Sequence, residues 1–465
     1  MRVSRSSLSQ GAWRVLALGV AASLALGGCA GSSPSPTVAP TTGPSSGASS
    51  MPAGSASASP LAPATIDVWL GGVLTRATTG SQSGTWVQNV VDAFKAANPG
   101  SDVKLTLLPY DNDQLAAQVQ AAFASKKVPD VIYLYSGAYT TVYQAGLLQL
   151  NDYINATPGF YDSITGWDGS CVNFDCQGGS GQILGVPTDN FAFYLFYNKS
   201  VLAKAGITAP PATWDEMISQ CDTLVKAGIT PWSYGDRDGY TTSNLMTTEI
   251  TSFFDPGDVQ KVLSGQLKYT DPKFINAFNA VYELQTHHCV QAGASTLVQD
   301  DQDNGILNGT AAYTEDSPSG VPRLAPLGDN LGVAVIPPAG TGPLASKLST
   351  FSNGNWAIPK DAAHPDLAWS FIKTAMGPEL QGNDQWVSLV GFPPANKQAA
   401  ASVTNPFVKY IATQDQNSGM AVLDSVMPNA VALDWYRELQ QAFAGKISIQ
   451  DAMAAVQQVQ DQTGP

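Results

Sequence analysis

Short apolar runs alternate with amphipathic stretches through the first part of the chain. Period-two or continuous apolar runs predict strands, and apolar residues three and four apart predict helices. Strands are predicted at Ile66 to Leu70, around Val103, Leu105 and Leu107, and at Asp130 to Tyr135, and helices at Thr85 to Ala97, at Gln114 to Lys126, and ending at Leu148. This β-α-β-α-β order predicts a parallel sheet wrapped by helices.

A second unit of the same kind begins near Phe191. The alternating segment Phe191 to Tyr197 predicts a strand, and Thr213-Trp214-Asp215-Glu216 has the form of a capping box at the start of a helix that reaches Lys226. Thr230 to Tyr234 predicts another strand, and Asp271 should cap a helix from Pro272 to His288. The pattern therefore predicts two lobes of the same class.

The remaining segments contain too few strands for a third lobe. Short strands are predicted at Gly332 to Ile336 and Asn355 to Ile358, and helices at Pro365 to Met376 and Trp435 to Val459. We therefore expect the chain to cross back between two lobes, each with a mixed or mainly parallel sheet flanked by helices.

The amino terminus has the pattern of an export signal. Arg2, Arg5 and Arg14 precede an apolar run from Val15 to Leu26 that is too short to span a bilayer. Leu26-Gly27-Gly28-Cys29 resembles the lipobox of bacterial lipoproteins, so residues 1–28 are expected to be removed and Cys29 to be lipidated. Residues 29–63 are dominated by Ser, Ala, Pro, Gly and Thr, which predicts a tether.

Composition and charge narrow the possible partners. The chain has 465 residues, of which 44% are hydrophobic and 13% charged, so it can bury a sizeable core. Its formal net charge of −14 would repel nucleic acid and anionic lipid. We therefore expect no nucleic-acid partner and contact with the membrane only through the lipid anchor.

Four cysteines remain after Cys29. Cys171 and Cys176 bracket a short loop and are expected to pair with each other, which leaves Cys221 to pair with Cys289 in an oxidising setting. Cys221 also lies on an apolar helical stripe, so a buried free thiol is an alternative there. The cysteine and histidine spacings do not fit a metal site, and we expect neither a metal nor another cofactor.

Seven segments together resemble the extracellular solute-binding proteins of ATP-driven bacterial importers, in the carbohydrate class that includes maltose-binding protein. The resemblance covers roughly residues 64 to 465. The segments are Ile66 to Trp69; Val128 to Ile132 with Ala145 to Leu148; Gly185 to Pro187 with Tyr197 to Lys199; Ala209 to Glu216; Asn308 to Ala312; Trp356 to Lys360 with His364 to Trp369; and Ala442 to Lys446.

This resemblance implies two lobes that close on a sugar, with three hinge crossings between them. The crossings are expected near Pro187 to Asn190, Ala311 to Glu315 and Trp356 to Lys360, where Gly and Pro punctuate the sequence. The amino-terminal lobe is then expected to comprise residues 64–187 and 312–357, and the carboxyl-terminal lobe residues 188–311 and 358–465.

A sugar site needs aromatic faces for the pyranose ring and fixed polar groups for its hydroxyls. In open α/β sheets such groups lie on loops at strand ends. The candidates are Arg76, Tyr135, Ser136, Asp189, Asn190, Asp236, Asp238, Tyr240, Glu315, Asp316, Asn353 and Trp356. A structural role is the alternative for several of them: Trp356 could belong to the core, and Asp236 to Asp238 could form a solvated turn with Arg237.

Motifs typical of hydrolases and phosphate-binding enzymes are missing from the sequence. One enzymatic alternative stays open, a lipid-anchored glycosidase that uses a carboxylate pair such as Asp189 with Glu315. A surface adhesin or structural lipoprotein would explain the tether but not the two-lobed pattern. The sequence therefore predicts a monomeric, non-enzymatic receptor on the outer face of the cytoplasmic membrane. It would bind a mono- or oligosaccharide and present it to the permease of an ABC importer.

Overall fold

A computed structural model describes residues 60–77, 82–109, 112–137, 140, 142–172, 176, 179, 181–382, 386–387 and 391–463. The predicted signal segment, Cys29 and nearly all of the predicted tether lie outside these residues. The residues from 60 onward lie in one compact unit. Within the described part of the chain, no helix has both the length and the apolar character needed to cross a membrane.

The described elements follow the predicted alternation of strands and helices. The strands are β1 (Thr65–Leu70), β2 (Asp102–Leu107), β3 (Val131–Tyr135), β4 (Gly185–Pro187), β5 (Tyr194–Asn198), β6 (Thr230–Trp232), β7 (Ala311–Asp316), β8 (Leu331–Val335), β9 (Leu348–Thr350), β10 (Gly354–Ala357) and β11 (Ser418–Ala421). The helices are α1 (Gln82–Ala97), α2 (Asn112–Ser125), α3 (Asn151–Asn155), α4 (Phe160–Ser163), α5 (Lys199–Lys204), α6 (Trp214–Lys226), α7 (Tyr240–Ile250), α8 (Asp258–Leu263), α9 (Pro272–Thr286), α10 (Gln302–Leu307), α11 (Gly320–Leu324), α12 (Pro365–Ala375), α13 (Pro378–Gln381), α14 (Lys397–Ser402), α15 (Pro406–Gln414), α16 (Leu423–Val426), α17 (Asn429–Phe443) and α18 (Ile449–Thr463).

The first lobe is built on a five-stranded sheet in the order β2-β1-β3-β10-β4. β1 runs parallel to β2 and β3, whereas β10 runs antiparallel to both of its neighbours. Helices α1 and α12 pack on this sheet. Trp86 of α1 and Phe371 of α12 share one hydrophobic core with Val68 of β1. The parallel part of the sheet confirms the β-α-β-α-β prediction.

The second lobe is built on a four-stranded sheet in the order β6-β7-β5-β8. β5 pairs antiparallel with both β7 and β8, and the β6–β7 pair is parallel. The sheet is thus mixed, because β7 and β8 enter it from long connections instead of one repeated β-α-β path. Helices α6, α7, α9, α17 and α18 pack with it in the largest hydrophobic cluster of the part of the chain that the structure describes.

Sheet membership moves the expected lobe boundaries. The expected amino-terminal lobe included residues 312–357, but β7 and β8 hydrogen-bond to β5 and therefore belong to the second lobe. Residues 358–465 were expected in the carboxyl-terminal lobe, but α12 packs against α1 in the first lobe. The sequence pattern identified these elements but could not show which sheet each one joins.

The crossings between the sheets move accordingly. The first crossing, residues 188–193 between β4 and β5, lies where it was expected. The expected crossing at Ala311 to Glu315 is wrong, because those residues form the buried strand β7. The chain instead returns to the first lobe between β8 and β10. It crosses again between α14 and α15, because α14 packs on α13 whereas α15 shares a hydrophobic core with β5 and β8.

Phenylalanine side chains fill the region where these crossings meet. Phe191 packs against Phe351 and against Phe392, each with ring centroids 4.3 Å apart. Phe193 lies 6.1 Å from Phe351. Because Phe191 and Phe351 also pair through their backbones, the first two crossings are joined in this cluster.

Local sequence signals set several helix ends. Thr213 accepts a hydrogen bond from the Glu216 backbone N–H at the start of α6, and Glu216 accepts one from the Ala212 N–H. These two bonds form the predicted capping box, except that Glu216 accepts from the Ala212 N–H instead of the Thr213 N–H. The predicted helix Trp435 to Val459 is wrong as one element, because residues 444–448 separate α17 from α18, and Gly445 among them has a φ of +68°. The helix predicted to reach Leu148 is also not formed as such, since residues 143–146 are turns.

Both predicted cysteine pairs are disulfides in the structure. Cys171 and Cys176 have Cα atoms 5.7 Å apart, and those of Cys221 and Cys289 are 5.3 Å apart. The second bridge ties α6 to the segment after α9 inside the second-lobe core. Because Cys221 is bonded to Cys289, the alternative of a buried free thiol at Cys221 is wrong.

Candidate functional site

A cavity of about 280 Å³ opens between the two lobes. The first lobe contributes the end of β3 and the segment that precedes β10, and the second lobe contributes α7, α16 and α17. Its lining residues are Tyr135, Ser136, Tyr240, Asn244, Phe351, Ser352, Asn353, Asp424, Ser425, Met427, Asn429, Ala432, Leu433 and Tyr436. Four of the sequence candidates meet here: Tyr135, Ser136, Tyr240 and Asn353.

Two tyrosines form an aromatic corner on the second-lobe wall. The rings of Tyr240 and Tyr436 lie 4.8 Å apart at an interplanar angle of 58°. Tyr240 is 46% exposed, and Leu433 beside it is 59% exposed. Exposed apolar side chains that form one continuous patch are more informative than isolated ones, and Tyr240, Leu433 and Tyr436 line the same cavity. This corner offers an apolar surface on which a flat ligand face could lie.

The carboxyl group of Asp424 is held rigidly behind this corner. Ser243 donates a hydrogen bond to its Oδ2 at 2.8 Å, and Trp435 Nε1 in turn donates to Ser243 Oγ. The Tyr436 hydroxyl also hydrogen-bonds to Asp424, while burial raises the pKa of the carboxyl above its usual range. This network fixes an oxygen acceptor and a tyrosine in one orientation.

Asn244 lies between the cavity and a buried acid. Its amide faces Glu315, where it lowers the pKa of that carboxyl, but burial outweighs it and holds the pKa well above the usual range. Among the described residues, neither Glu315 oxygen makes a hydrogen bond of normal geometry. Glu315, a sequence candidate, is therefore placed behind a cavity residue and is itself fully buried.

The first-lobe wall is set by the segment that returns to β10. Ser136 Oγ donates to the Ser352 carbonyl, and Ser352 Oγ donates to the Gly354 carbonyl. The Asn353 backbone N–H donates to Asp189 Oδ1 at 2.5 Å. Gly137, at φ +67°, lies so close to the Ser425 carbonyl that a Cβ would not fit, so the two lobes touch beside the cavity.

The candidates at the first crossing lie outside the cavity wall. Asp189 is fully buried, and burial raises its pKa to about 7, while its bonds to Asn353, Thr188 and Ser352 oppose the rise. Asn190 lines a separate pocket of about 20 Å³ together with Asp415. Asp189 reaches the cavity only indirectly, because it holds the backbone of Asn353.

The polar loop before α7 is likewise a support for the cavity. Asp236 accepts hydrogen bonds from the backbone N–H and the hydroxyl of Thr242, at 3.0 and 2.7 Å, and burial raises its pKa to about 6. It therefore fixes the start of the helix that carries Tyr240. Asp238 is exposed and pairs with Arg237 at 3.2 Å, the solvated ion pair that was the alternative for this loop.

Three other candidates lie away from the described cavity wall. Asp316 forms an ion pair with Arg323, and burial raises its pKa to about 7. Trp356 is buried in the first-lobe core, 4.9 Å from Tyr133 and 5.6 Å from Phe371 by ring centroids. Arg76 ends a short 3-10 helix after β1, and its side chain lies outside the described part of the structure.

Sequence reasoning missed the contribution of residues 424–436. Asn429, Leu433 and Tyr436 are spaced four and three residues apart, so they lie on one face of α17 and line the cavity together. An apolar side chain on the otherwise polar face of a helix was a usable signal. It could not be assigned to a site, because only the fold brings α17 opposite β3.

The possible catalytic or metal-binding chemistry is limited in the described chain. Asp189 and Glu315, the pair proposed for a glycosidase, are both fully buried, whereas such a pair must flank an exposed glycosidic bond. Over the described residues, no three histidine, cysteine or carboxylate side chains are grouped so that they could hold a metal ion. The cavity thus offers hydrogen bonding and apolar contact.

Comparison with known proteins finds similarity over much of the folded part of the chain. A family model of bacterial extracellular solute-binding proteins matches residues 77–382. The chain is 23% identical over 299 residues to a probable ABC transporter-binding protein of Deinococcus radiodurans, which covers 62% of this chain and 67% of that protein. It is also 24% identical over 229 residues to an sn-glycerol-3-phosphate-binding periplasmic protein of Rhizobium meliloti, covering 47% of this chain and 51% of that one.

Solved structures share the fold. A chitin oligosaccharide binding protein superposes with a TM-score of 0.70 at 21% sequence identity, covering 86% of this chain and 98% of that chain. At this level of identity the similarity establishes the architecture. The match over nearly the whole of that chain means that both lobes and their crossings are shared.

Proposed function

Because this chain belongs to the family of bacterial extracellular solute-binding proteins, we propose that it binds a sugar between its lobes and delivers it to the permease of an ABC importer. The work is binding, since the family and its structural neighbours are binding proteins. Ligand would favour the closed state through its higher affinity for that state, and the permease would recognise the closed surface.

The composition of the inter-lobe cavity carries this proposal. It combines an aromatic corner, Tyr240 with Tyr436, with fixed polar groups on both lobes, among them Asp424, Asn244 and Asn353. A pyranose has an apolar face and a rim of hydroxyls, so it needs both kinds of surface at once. A ligand held there touches both lobes and would stabilise their contact.

The charges in the cavity favour an uncharged ligand. Among the described lining residues there is one acid, Asp424, and there is no lysine, arginine or histidine. A phosphate is held most strongly by cationic side chains, which the described lining residues do not include. We therefore assign a neutral mono- or oligosaccharide, in contrast to the anionic ligand named for the Rhizobium relative.

Export and anchoring complete the proposal. Residues 1–28 would be removed as a signal peptide, Cys29 would carry lipid, and residues 29–63 would tether the folded body to the outer face of the cytoplasmic membrane. The receptor would act as a monomer, with one sugar site per chain. Metabolic labelling with a radioactive fatty acid tests the anchor, because Cys29→Ser should abolish incorporation.

Thermal unfolding of the purified protein tests the ligand class. A matching sugar at about 100 times its dissociation constant should raise the free energy of unfolding by roughly 2.7 kcal/mol. The panel contains mono- and oligosaccharides, sn-glycerol 3-phosphate, amino acids and peptides, and the same samples are assayed for sugar cleavage. Stabilisation by a neutral sugar without cleavage supports the proposal, whereas stabilisation only by the phosphate or an amino acid contradicts it.

A further inference from the structure

A second pocket lies in the second lobe at the opposite end of α7. It measures about 400 Å³ and is bounded by the end of α7, the connection from β8 to β9, and the turn after α15. Tyr240 and Asn244 near the start of α7 line the inter-lobe cavity, whereas Thr248 and Glu249 near its end line this pocket. The two pockets therefore share one helix but no lining residue.

Glu249 is an unusual residue for the wall of such a pocket. Its side chain is fully buried, and Oε2 accepts a hydrogen bond from the Ala339 backbone N–H at 2.8 Å. Oε1 has no hydrogen-bond partner among the described residues. Buried polar atoms in native proteins nearly always have a partner, and a ligand in the adjoining pocket would supply one to Oε1.

The carboxyl-terminal end of α7 favours a positive ligand beside Glu249. Glu249 stands in the last turn of α7, where the helix dipole is negative, and that turn carries no basic residue. Burial raises the pKa of Glu249 to about 8, and no nearby cation opposes that rise. Lys347 is the one basic residue among the described lining residues, and its exposed Nζ donates to Asn417 Oδ1 at 2.8 Å on the rim.

The rest of the wall limits the size and character of the ligand. Val335, Ile336, Pro338 and Leu348 supply aliphatic surface beside the buried carboxyl. A volume of about 400 Å³ is within the usual range for small-molecule sites. A bare metal ion would leave most of this space unfilled, whereas an alkyl group would cover the aliphatic wall.

We infer that this pocket is a second ligand site, which binds a small organic ammonium ion with its charged nitrogen on Glu249 Oε1 and its carbon chain against the aliphatic wall. The site is independent of the sugar cavity. Leu348 of β9 lines it, and the residue directly after this strand, Phe351, lines the inter-lobe cavity. An occupant would therefore lie against the segment that crosses between the lobes.

Calorimetric titration of the purified protein with n-butylammonium chloride tests this inference, with n-butanol as a neutral probe of the same size. Saturable binding of the amine without binding of the alcohol is expected at pH 7. Glu249→Gln should lower amine affinity at least tenfold and leave sugar-induced stabilisation unchanged, because glutamine can still accept the Ala339 N–H. Ser346→Trp, at an exposed position on the pocket wall, should block the amine without altering Glu249.

Proton release gives a second readout. Since the Glu249 carboxyl is mostly protonated at pH 7, amine binding should release nearly one proton, measured as a difference in heat between two buffers. Lys347 is the other titratable group among the described lining residues. Equal binding by wild type and Glu249→Gln, equal binding of the alcohol, or displacement of the amine by sugar would each overturn the second site. None of these results would affect the sugar proposal.

Discussion

At the scale of single residues, Tyr240 and Tyr436 should determine how tightly the sugar is held. Removing either ring in Tyr240→Ala or Tyr436→Ala deletes stacking surface on the second-lobe wall. We expect each to weaken sugar affinity by about tenfold or more, which corresponds to roughly 1.4 kcal/mol. Tyr436→Phe should cost less, because it removes only the hydroxyl that bonds to Asp424. Isothermal titration with the stabilising sugar measures these differences.

Asp238→Ala is the matched control for this series. Asp238 lies two residues before Tyr240 but is exposed and paired with Arg237. Its loss should leave sugar affinity within a factor of two, because a surface ion pair contributes little. If Asp238→Ala weakened binding as much as Tyr240→Ala, the sugar would contact the loop and not the aromatic corner.

Asp189 should make stability depend on pH. Its folded-state pKa of about 7 lies above the usual value of 3.8 for an aspartate, so the folded protein holds this proton more tightly than the unfolded chain does. The stability that Asp189 contributes is therefore fully present at low pH and is lost as the pH rises through about 7. Asp189→Asn keeps an acceptor for the Asn353 N–H and removes the buried charge.

Urea unfolding at pH 5.5 and pH 8 measures this effect. Relative to wild type, Asp189→Asn should be more stable at both pH values, and its advantage should be larger at pH 8 than at pH 5.5 by on the order of 2 kcal/mol. Asp316→Asn is not an equivalent control, because it also breaks the pair with Arg323. A variant that loses stability at both pH values would show that the ionised carboxylate is required.

Sequence reasoning found part of the cavity at this scale. Tyr135 and Asn353 were identifiable because they flank short apolar strands, where cleft loops begin. Asp236 and Asp189 are also polar residues shortly after a strand, but their side chains point inward and accept hydrogen bonds from backbone N–H groups. The sequence pattern gives the position of a polar residue near a strand end, but the direction of its side chain depends on which backbone donors the fold leaves unpaired.

At the scale of elements, the two disulfides should contribute unequally to stability. The bridge Cys221–Cys289 closes a sequence separation of 68 residues, and Cys171–Cys176 closes 5. In the chain-entropy account, removing them should cost about 4 and about 2 kcal/mol, respectively. Unfolding of the two double Cys→Ala variants, measured by chemical denaturation, checks the order, and a larger loss for Cys171/Cys176 would contradict it.

The N-cap of α6 gives a smaller and local effect. Thr213→Ala removes the acceptor for the Glu216 N–H and should lower the free energy of unfolding by about 1 kcal/mol, whereas Thr213→Ser should retain most of it. Thermal unfolding of the two variants measures the difference. Equal losses would mean that the methyl group of Thr213, and not its hydroxyl, stabilises this end of the helix.

Most elements were predictable because their signals are local. The cap at Thr213, the cap at Asp271 and the apolar strand at β3 each depend on a few neighbouring residues. β7 was misread as a hinge because Gly309 and the residues after it resemble a loop entry, yet the strand is fully buried between β6 and β5. Pairing partners far apart in sequence determine that outcome, and no local pattern encodes them.

At the scale of the whole molecule, the cluster around Phe191 joins crossings whose contact could not be predicted from the sequence. Phe191, Phe351 and Phe392 come from distant segments and pack ring on ring where the lobes meet. The cluster places Phe351 on the wall of the cavity, so contact with ligand and contact within the hinge region share one residue. Ligand binding and lobe position are coupled through this residue in the proposed mechanism.

The central claim is that a neutral sugar lies between the lobes, and hydrogen–deuterium exchange tests it directly. With the stabilising sugar bound, backbone amides should be protected in peptides from both walls, Tyr135 to Gly137 on the first lobe and Asp424 to Tyr436 on the second. Protection confined to one lobe, or to the pocket beside Glu249, would contradict the account.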